Sequence, residues 1–367
     1  MSIDEIPVDQ TVTVKRHQIP VAYTLAGAIL LTIFFTWAPW LLPASDVTIL
    51  MNFFILVIMA TMWNLLAGYA GMVSIGQQAF IGLGAYATLY FAIKGMDPFV
   101  AIPLAVIVCA VIAFPVTFLL FRLRGGYFSV ATWVVADSAM LIIGSIAFFG
   151  GGTGHYLPGL TNIAFKQLGH DTYLAAWFVA LIVIVTTYIL LRSRLGLVLS
   201  SVRDNEVAAR SSGAKVTSTR RTIFIVAAAG CGAAGAVLAI SQPFLQIGNE
   251  FNLQWAAEML FASMIGGLGT IEGPILGCVI YFVLQQTLQN DGAWYLIIFG
   301  ALAVGVAIWQ PRGIWGLIRD KFHFELLPVG YRVEAPGVSN AVPRAVVDWR
   351  PWRRNKEMPP VEDADAT

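Results

Sequence analysis

The sequence predicts an all-α, polytopic transmembrane helical bundle of about ten spans with both termini in the cytoplasm. Of its 367 residues, 58% are hydrophobic and 12% are charged, whereas soluble domains have about 25% charged residues. Apolar runs near the roughly twenty residues that cross a bilayer recur along the chain. Basic residues collect in alternate connections between these runs. This composition excludes an ordinary soluble domain.

The predicted spans follow a polar amino-terminal tail, residues 1–20. We place them at residues 21–42, 49–66, 71–91, 99–121, 127–149, 173–191, 222–240, 253–265, 274–288 and 294–309. Together they define a membrane domain, residues 21–310, which includes a cytoplasmic loop at 192–221. The remaining residues, 311–367, form a cytoplasmic tail that we expect to be loosely ordered because it is rich in proline and arginine.

The distribution of lysine and arginine predicts the orientation. With the amino terminus inside and an even number of crossings, 20 of the 22 basic residues fall on the cytoplasmic side. Lys94 and Lys166 are the two that fall outside. Short basic connections stay on the cytoplasmic side of a membrane. The bias therefore predicts that both termini are inside.

Residue types that carry catalysis or bind metals do not cluster in the sequence. Cys109, Cys231 and Cys278 lie in apolar runs without ligand spacing, so we interpret them as packing residues. The sequence has no G-x-x-x-x-G-K-[ST] motif to hold ATP phosphates. Its net charge of +1 gives no field that attracts nucleic acid. We expect no enzyme activity, no bound cofactor and no metal site in this chain.

Two glycine-rich segments interrupt the hydrophobic pattern. They are residues 68–86, GYAGMVSIGQQAFIGLGAY, and residues 266–277, GGLGTIEGPILG. Such segments allow broken or re-entrant helices, which at membrane depth are buried or line a watery path. Small residues serve equally well for close helix packing, so both interpretations stay open. The candidate translocation residues in these segments are Gly71, Ser74, Gly76, Gln77, Gln78, Gly267, Gly269 and Glu272.

Asp137 is an ionisable residue inside the fifth predicted span. Such a group usually faces the bundle interior or a cavity rather than lipid. Three roles are open to it: a polar gate, a substrate contact, or a hydrogen bond that pairs two helices. We therefore include Asp137 among the candidate translocation residues.

The loop at residues 192–221 carries seven basic and two acidic residues. Asp204 can cap a short helix there, and Gly213 can end it. Val207 and Ala208 supply a small apolar patch, and Glu206 lies four residues before Arg210 (both), a spacing that pairs charges on a helix. The loop is predicted to contain a partly amphipathic helix available to a partner. The alternative is a loop that only fixes orientation.

Five stretches, taken in order, resemble the permease subunits of branched-chain amino-acid ABC importers, the LivM-like family. They are residues 64–86, 122–132 (RLRGGYFSVAT), 150–154 (GGGTG), 193–213 (SRLGLVLSSVRDNEVAARSSG) and 264–277 (MIGGLGTIEGPILG). The resemblance extends over about residues 64–310. The tail beyond Gly330 lies outside the family pattern.

The resemblance implies an inner-membrane permease subunit that forms half of a translocation pathway. It further implies a second permease subunit, two ATPase subunits that bind ATP and magnesium, and an extracytoplasmic substrate-binding protein. The substrates of the family are branched-chain amino acids, and those of close relatives are urea or short amides. The family's ATPase-docking segment corresponds to residues 193–213. The resemblance therefore assigns contact with the ATPase to Arg203, Asp204, Glu206, Val207, Ala208, Arg210 and Gly213.

Two other classes of protein remain compatible with the residues alone. An ion-coupled secondary transporter would transport without partners and would be sensitive to ionophores. A non-transporting membrane scaffold would show no substrate-dependent effect when the glycine-rich segments are altered. Neighbouring reading frames for two ATPases and a secreted binding protein would favour the importer.

The charge bias predicts the sidedness of single introduced cysteines. We expect cysteines at Thr217 and Asn340 to be labelled by an impermeant maleimide only from the cytoplasmic side, and one at Asn162 only from outside. The measurement is labelling of intact cells against inverted vesicles. Outside labelling at position 217 would overturn the predicted topology.

Overall fold

The computed structural model describes residues 13–15, 21–160, 164–204, 206–288, 294–310, 313–322 and 332–334. The chain divides into two units, residues 17–329 and residues 1–16 with 330–367. In the smaller unit, strand β1 (Thr13–Lys15) pairs antiparallel with β4 (Arg332–Glu334). The predicted loose order of the carboxyl-terminal tail concerns residues that lie mostly outside the described ones.

The larger unit is helical, as the composition predicts. Its longer helices are α1 (Val21–Leu41), α2 (Ala44–Asn64), α3 (Gln78–Ile93), α4 (Pro98–Leu120), α5 (Gly126–Ser145), α6 (Phe165–Arg192), α7 (Arg194–Asp204), α9 (Val216–Ser241), α11 (Leu253–Gly266), α12 (Glu272–Leu288), α13 (Trp294–Trp309) and α14 (Gly313–Phe322). The short elements are a π turn (Leu65–Tyr69), a 3-10 turn (Ala147–Phe149), α8 (Glu206–Ser211), α10 (Ile247–Glu250), and strands β2 (His155–Tyr156) and β3 (Phe244–Leu245).

Among the described residues, five helical segments are long and apolar enough to cross a membrane. They are Ala44–Tyr69, Pro98–Leu120, Gly126–Ser145, Lys166–Arg192 and Val216–Ser241. A sixth results if Ile297–Trp309 and Gly313–Arg319, which meet at 46°, form one bent span. The structure therefore supports an all-α membrane protein, and the number of about ten spans stays a prediction.

Three predicted boundaries differ from the structure. The run at residues 71–91 becomes helical only from Gln78, because the preceding backbone is bonded to neighbouring helices instead. The loop at residues 192–221 holds two helices, α7 and α8, where one short helix is predicted. A further helix, α14, follows the expected stop of the last span at Gln310.

Helices α2 and α9 form the centre of the bundle. In the most apolar 18-residue stretch of each helix, 78% of the residues are buried, whereas in that of α5 only 17% are. Small residues let α9 approach α3 closely: a Cβ atom at Gly235 would overlap the carbonyl oxygen of Ile81, and one at Gly84 would overlap that of Gly232. The three cysteines are buried and free, in agreement with their predicted packing role.

The close approach at Gly235 predicts opposite effects for two matched substitutions. Gly235→Ala forces α3 and α9 apart and should destabilise the fold by about 1–3 kcal/mol. Gly305→Ala, in α13, has open space around the added methyl group and gains helix propensity of about 0.5–1 kcal/mol. Thermal unfolding of the detergent-solubilised chain measures both. A Gly235→Ala variant as stable as Gly305→Ala would contradict the packing described here.

Candidate translocation site and coupling helices

Asn64, the last residue of α2, joins the two glycine-rich segments. Its side-chain nitrogen donates a hydrogen bond of 2.7 Å to the Thr270 carbonyl oxygen. Its side-chain oxygen accepts one of 2.9 Å from the backbone N–H of Gly269. Gly68 allows this approach, since a Cβ atom there would overlap both Asn64 and Gly269. We call Asn64, Gly269 and Thr270 the Asn64 clamp.

The second glycine-rich segment forms the tight connection between α11 and α12. Gly267 and Gly269 have positive φ angles of 133° and 74°, which glycine adopts without strain. The Thr270 hydroxyl donates to the Gly267 carbonyl oxygen at 3.0 Å and accepts from the Gly273 N–H at 3.1 Å. The Glu272 side chain is half-buried at the start of α12. The connection is thus a folded turn with its polar groups paired locally.

The first glycine-rich segment runs as non-helical backbone over residues 70–77, between the π turn and α3. Three side chains of neighbouring helices bond it. The Trp63 indole donates to the Ser74 carbonyl oxygen at 2.8 Å, the Ser129 hydroxyl donates to that of Val73 at 2.6 Å, and the Ile75 N–H donates to the Thr132 hydroxyl at 3.1 Å. Broken backbone at membrane depth requires such partners.

Polar side chains of this segment point into the protein. Ser74, Gln77 and Gln78 are buried. The Gln77 amide nitrogen donates to the Ser74 hydroxyl at 3.3 Å, whereas the side-chain oxygens of Gln77 and Gln78 have no partner among the described residues. Gly76 is in contact with Thr132 of α5, where a Cβ atom would overlap the backbone. These residues offer acceptors for a polar solute beside α5.

Asp137 lies elsewhere on α5. Thr132 and Ala136 face the protein, while Asp137 and Ser138 are exposed. Among the described residues Asp137 has no hydrogen bond or ion pair, so the predicted pairing with a neighbouring helix of this chain is not observed. A carboxylate in the middle of an apolar helix does not face lipid. The exposed face of α5 is therefore suited to a polar path or a partner.

A second group of buried and half-buried residues lies where α10 packs against α3 and α5. The Tyr86 ring on α3 contacts Phe149 at 5.5 Å and Phe251 at 6.1 Å between ring centroids. Glu250, the last residue of α10, is 1% exposed and its charge interacts with the Tyr86 hydroxyl. We call Tyr86, Phe149, Glu250 and Phe251 the outer cluster.

The Glu250 carboxylate is unusual in its surroundings. It lies in the connection between α9 and α11, outside the candidate spans. Burial raises its pKa to about 7. Its Oε2 atom and the Tyr86 hydroxyl have no hydrogen-bond partner among the described residues. This carboxylate is therefore poised to accept a hydrogen bond or a positive charge.

The predicted cytoplasmic loop has a small apolar cluster of its own. Val202 of α7, Ala209 of α8 and Val216 of α9 are buried together in a separate apolar cluster. Gly213, with φ of +83°, turns the chain from α8 towards α9, as predicted, and Arg210 is exposed. The side chains of five predicted coupling residues lie outside the described ones: Arg203, Asp204, Glu206, Val207 and Ala208.

Of the candidate translocation residues, the structure places Gly269 in the Asn64 clamp. The first glycine-rich segment is held against Trp63 and α5 instead, and Asp137 lies apart on the exposed face of α5. Sequence reasoning missed Asn64, Thr132 and Glu250. An asparagine that ends a long apolar run is a recognisable signal, because polar residues in membrane helices are expensive and functional. Thr132 and Glu250 have no comparable signal.

These features define a multi-pass helical membrane protein with broken segments of the kind that transport proteins use. The chain belongs to the family described as "Branched-chain amino acid transport system / permease component", which matches residues 46–307. It is accordingly a permease subunit of an ABC importer, and the predicted LivM-like resemblance is confirmed.

Individual relatives agree with this assignment. The chain is 27% identical to the high-affinity branched-chain amino acid transport system permease protein LivM of Salmonella typhimurium, over 80% of this chain and 75% of the relative. It is 26% identical to LivM of Escherichia coli over the same shares. It is 25% identical to the autoinducer 2 import system permease protein LsrC of Photorhabdus laumondii, over 68% of this chain and 78% of the relative. No solved structure matches significantly.

The Asn64 clamp predicts a large effect of a small change. Asn64→Ala leaves the half-buried Gly269 N–H and the buried Thr270 carbonyl without their side-chain partner, and the loss of a buried partner costs about 1–3 kcal/mol. We expect a clear fall in thermal stability and loss of transport. Asn52→Ala, at an exposed position of the same helix, is the matched control. Equal unfolding temperatures for the two variants would contradict the clamp.

Proposed function

We propose that this chain forms one half of the translocation pathway of an ATP-driven importer of branched-chain amino acids, in the inner membrane. The other components are a second permease subunit, two ATPase subunits and an extracytoplasmic substrate-binding protein. The similarity to LivM proteins supports the substrate. ATP and magnesium bind to the ATPase subunits, since this sequence has no phosphate-binding loop.

The observation that carries the proposal is the face of α5 that bears Asp137. Only 17% of the residues in the most apolar stretch of this helix are buried, and Asp137 is one of its exposed residues. A carboxylate at the centre of a lipid-facing helix costs about 2.5–3.5 kcal/mol or more. A second permease subunit removes this cost by enclosing a watery path against α5. In this arrangement one chain provides half of the wall of the path, and the second permease subunit provides the other half.

The orientation follows the charge bias, with both termini in the cytoplasm. The antiparallel pairing of β1 with β4 supports termini on the same side of the membrane. The Asn64 clamp then lies towards the cytoplasm and the outer cluster towards the binding protein. Helices α7 and α8, which lie in the predicted cytoplasmic loop, then face the ATPases.

Coupling follows from how these two helices join the bundle. Helix α7 begins directly after α6, where a Cβ atom at Gly196 would overlap the Leu191 carbonyl oxygen. The apolar cluster of Val202, Ala209 and Val216 connects both helices to the start of α9. A displacement of α7 and α8 by the ATPases is therefore transmitted to α6 and α9. We propose that this motion alternates access to the path.

The coupling role predicts separable effects on docking and folding. Glu206→Arg, and a double change of Val207 and Ala208 to Asp, should leave the chain inserted, because like charges one turn apart cost only a few tenths of a kcal/mol on a helix. An unpaired charge at an interface costs about 2–5 kcal/mol, so association with the ATPases should fall at least tenfold.

The measurement is co-purification of the ATPase subunits, together with substrate-stimulated ATP hydrolysis in the reconstituted complex. Lys166→Glu, a charge reversal on the predicted outer side, is the control that should leave both unchanged. If the coupling variants retain wild-type association and stimulation, residues 192–221 only fix orientation, and the ATP-coupled proposal fails.

A further inference from the structure

The outer cluster contains two buried polar groups that the fold does not use. Glu250 and Tyr86 are each 1% exposed, and Glu250 Oε2 and the Tyr86 hydroxyl are without partners among the described residues. Burial accounts for the raised pKa of Glu250, and within the described part of the chain no neighbouring cation compensates its charge. Buried carboxylates are otherwise paired or hydrogen-bonded. The missing partner is therefore to be sought in a ligand.

The surroundings indicate the chemistry of that ligand. Aromatic rings are grouped around Tyr86, the residue on which the Glu250 charge acts. The Tyr86 ring stands edge to face against Phe149, with ring planes at 80°, and the ring of Phe251, the residue after Glu250, lies at 35° to it. Ring faces attract cations, and aromatic cages recognise ammonium groups. A primary ammonium has three N–H donors, which match a carboxylate and a hydroxyl. A calcium ion needs more oxygens, since it takes six to eight.

The position of the cluster places such a ligand at the entrance to the proposed path. The Phe251 ring lies against Gly82 of α3, where a Cβ atom would overlap it. Ile247 of the same short helix approaches Gly144 at the outer end of α5, at 3.2 Å from a Cβ atom built there. The outer cluster is thus seated on the helix that bears Asp137, on the side away from α7 and α8 in the predicted topology.

We propose that Glu250 and Tyr86 form a transit site for the primary ammonium group of an amino acid, after its release from the binding protein. This inference rests on the proposed function and deepens it. A site of this charge favours zwitterionic amino acids over urea and short amides, which have no cationic group. The aromatic rings add contact area for the cation without supplying a competing positive charge.

The test uses the full complex in proteoliposomes, with L-leucine as the probe. Glu250→Gln keeps the shape of the side chain and removes its charge, and it should lower leucine uptake at least about tenfold. Tyr86→Phe should lower it less, and Glu250→Asp should restore part of it. The control is Glu258→Gln, at another buried glutamate whose Oε1 already accepts a hydrogen bond of 2.8 Å from Gln254. We expect it to retain uptake within twofold.

The unfolding temperature of the complex distinguishes a binding role of Glu250 from a structural one. Because the pKa of Glu250 in the folded protein lies above its ordinary value of 4.5, the stability that it contributes is complete below pH 4.5 and is lost as the pH rises through about 7. Without leucine, the Glu250→Gln complex should therefore unfold at the same temperature as wild type at about pH 4 and at a higher temperature at about pH 8. Tyr86, the titratable neighbour, is unchanged in this comparison.

The outcomes are distinguishable. A wild-type complex that shows no ATP-dependent leucine uptake refutes the proposed function itself. If wild type imports leucine and Glu250→Gln does so equally well, the transit site is refuted alone. Loss of uptake with a lower unfolding temperature at both pH values, or an equal loss in Glu258→Gln, shows a structural role and also overturns the proposal.

Discussion

Hydrocarbon cannot hydrogen-bond a peptide group, so every break in a membrane helix must find its partners within the protein. This constraint determines how the two glycine-rich segments are held. Asn64 satisfies the N–H of Gly269 and the carbonyl of Thr270 at once. Trp63, Ser129 and Thr132 satisfy the non-helical backbone before α3. Without these side chains, the broken segments would not be stable next to lipid.

The bundle has a closely packed part and a helix with an exposed face. Helices α2, α3 and α9 are closely packed through glycine, so a displacement that reaches α9 moves these helices together, because a packed interface is not continuously deformable. Helix α5 is attached to this core by Ser129 and Thr132 on one side and is exposed on the other. A helix with one fixed and one free face is suited to line a path shared with a second subunit.

Those parts of this architecture that depend on neighbouring residues in the sequence could be predicted. Long apolar runs such as α4 and α9 follow from bilayer thickness, and the breaks near Gly71 and Gly267 follow from the backbone freedom of glycine. The partners of those breaks were not predictable, because Asn64 bonds a residue 205 positions away. Glu250 lies between the predicted spans 222–240 and 253–265, where nothing in the sequence indicates burial. Its burial arises only because α10 folds back onto α3 and α5, a long-range packing event without a signal in one sequence.

The central claim is that the exposed face of α5 lines a watery path in the assembled importer. The most direct measurement is the reaction of single cysteines at Val134, Asp137 and Leu141 with a charged, membrane-impermeant thiol reagent, in a background without native cysteines. We expect Asp137→Cys to react in the complex and leucine with ATP to change its rate, since charged reagents need water to reach a thiol. Reaction of all three positions only with a lipid-soluble reagent, at rates that leucine and ATP do not alter, would show that α5 faces lipid and would contradict the account.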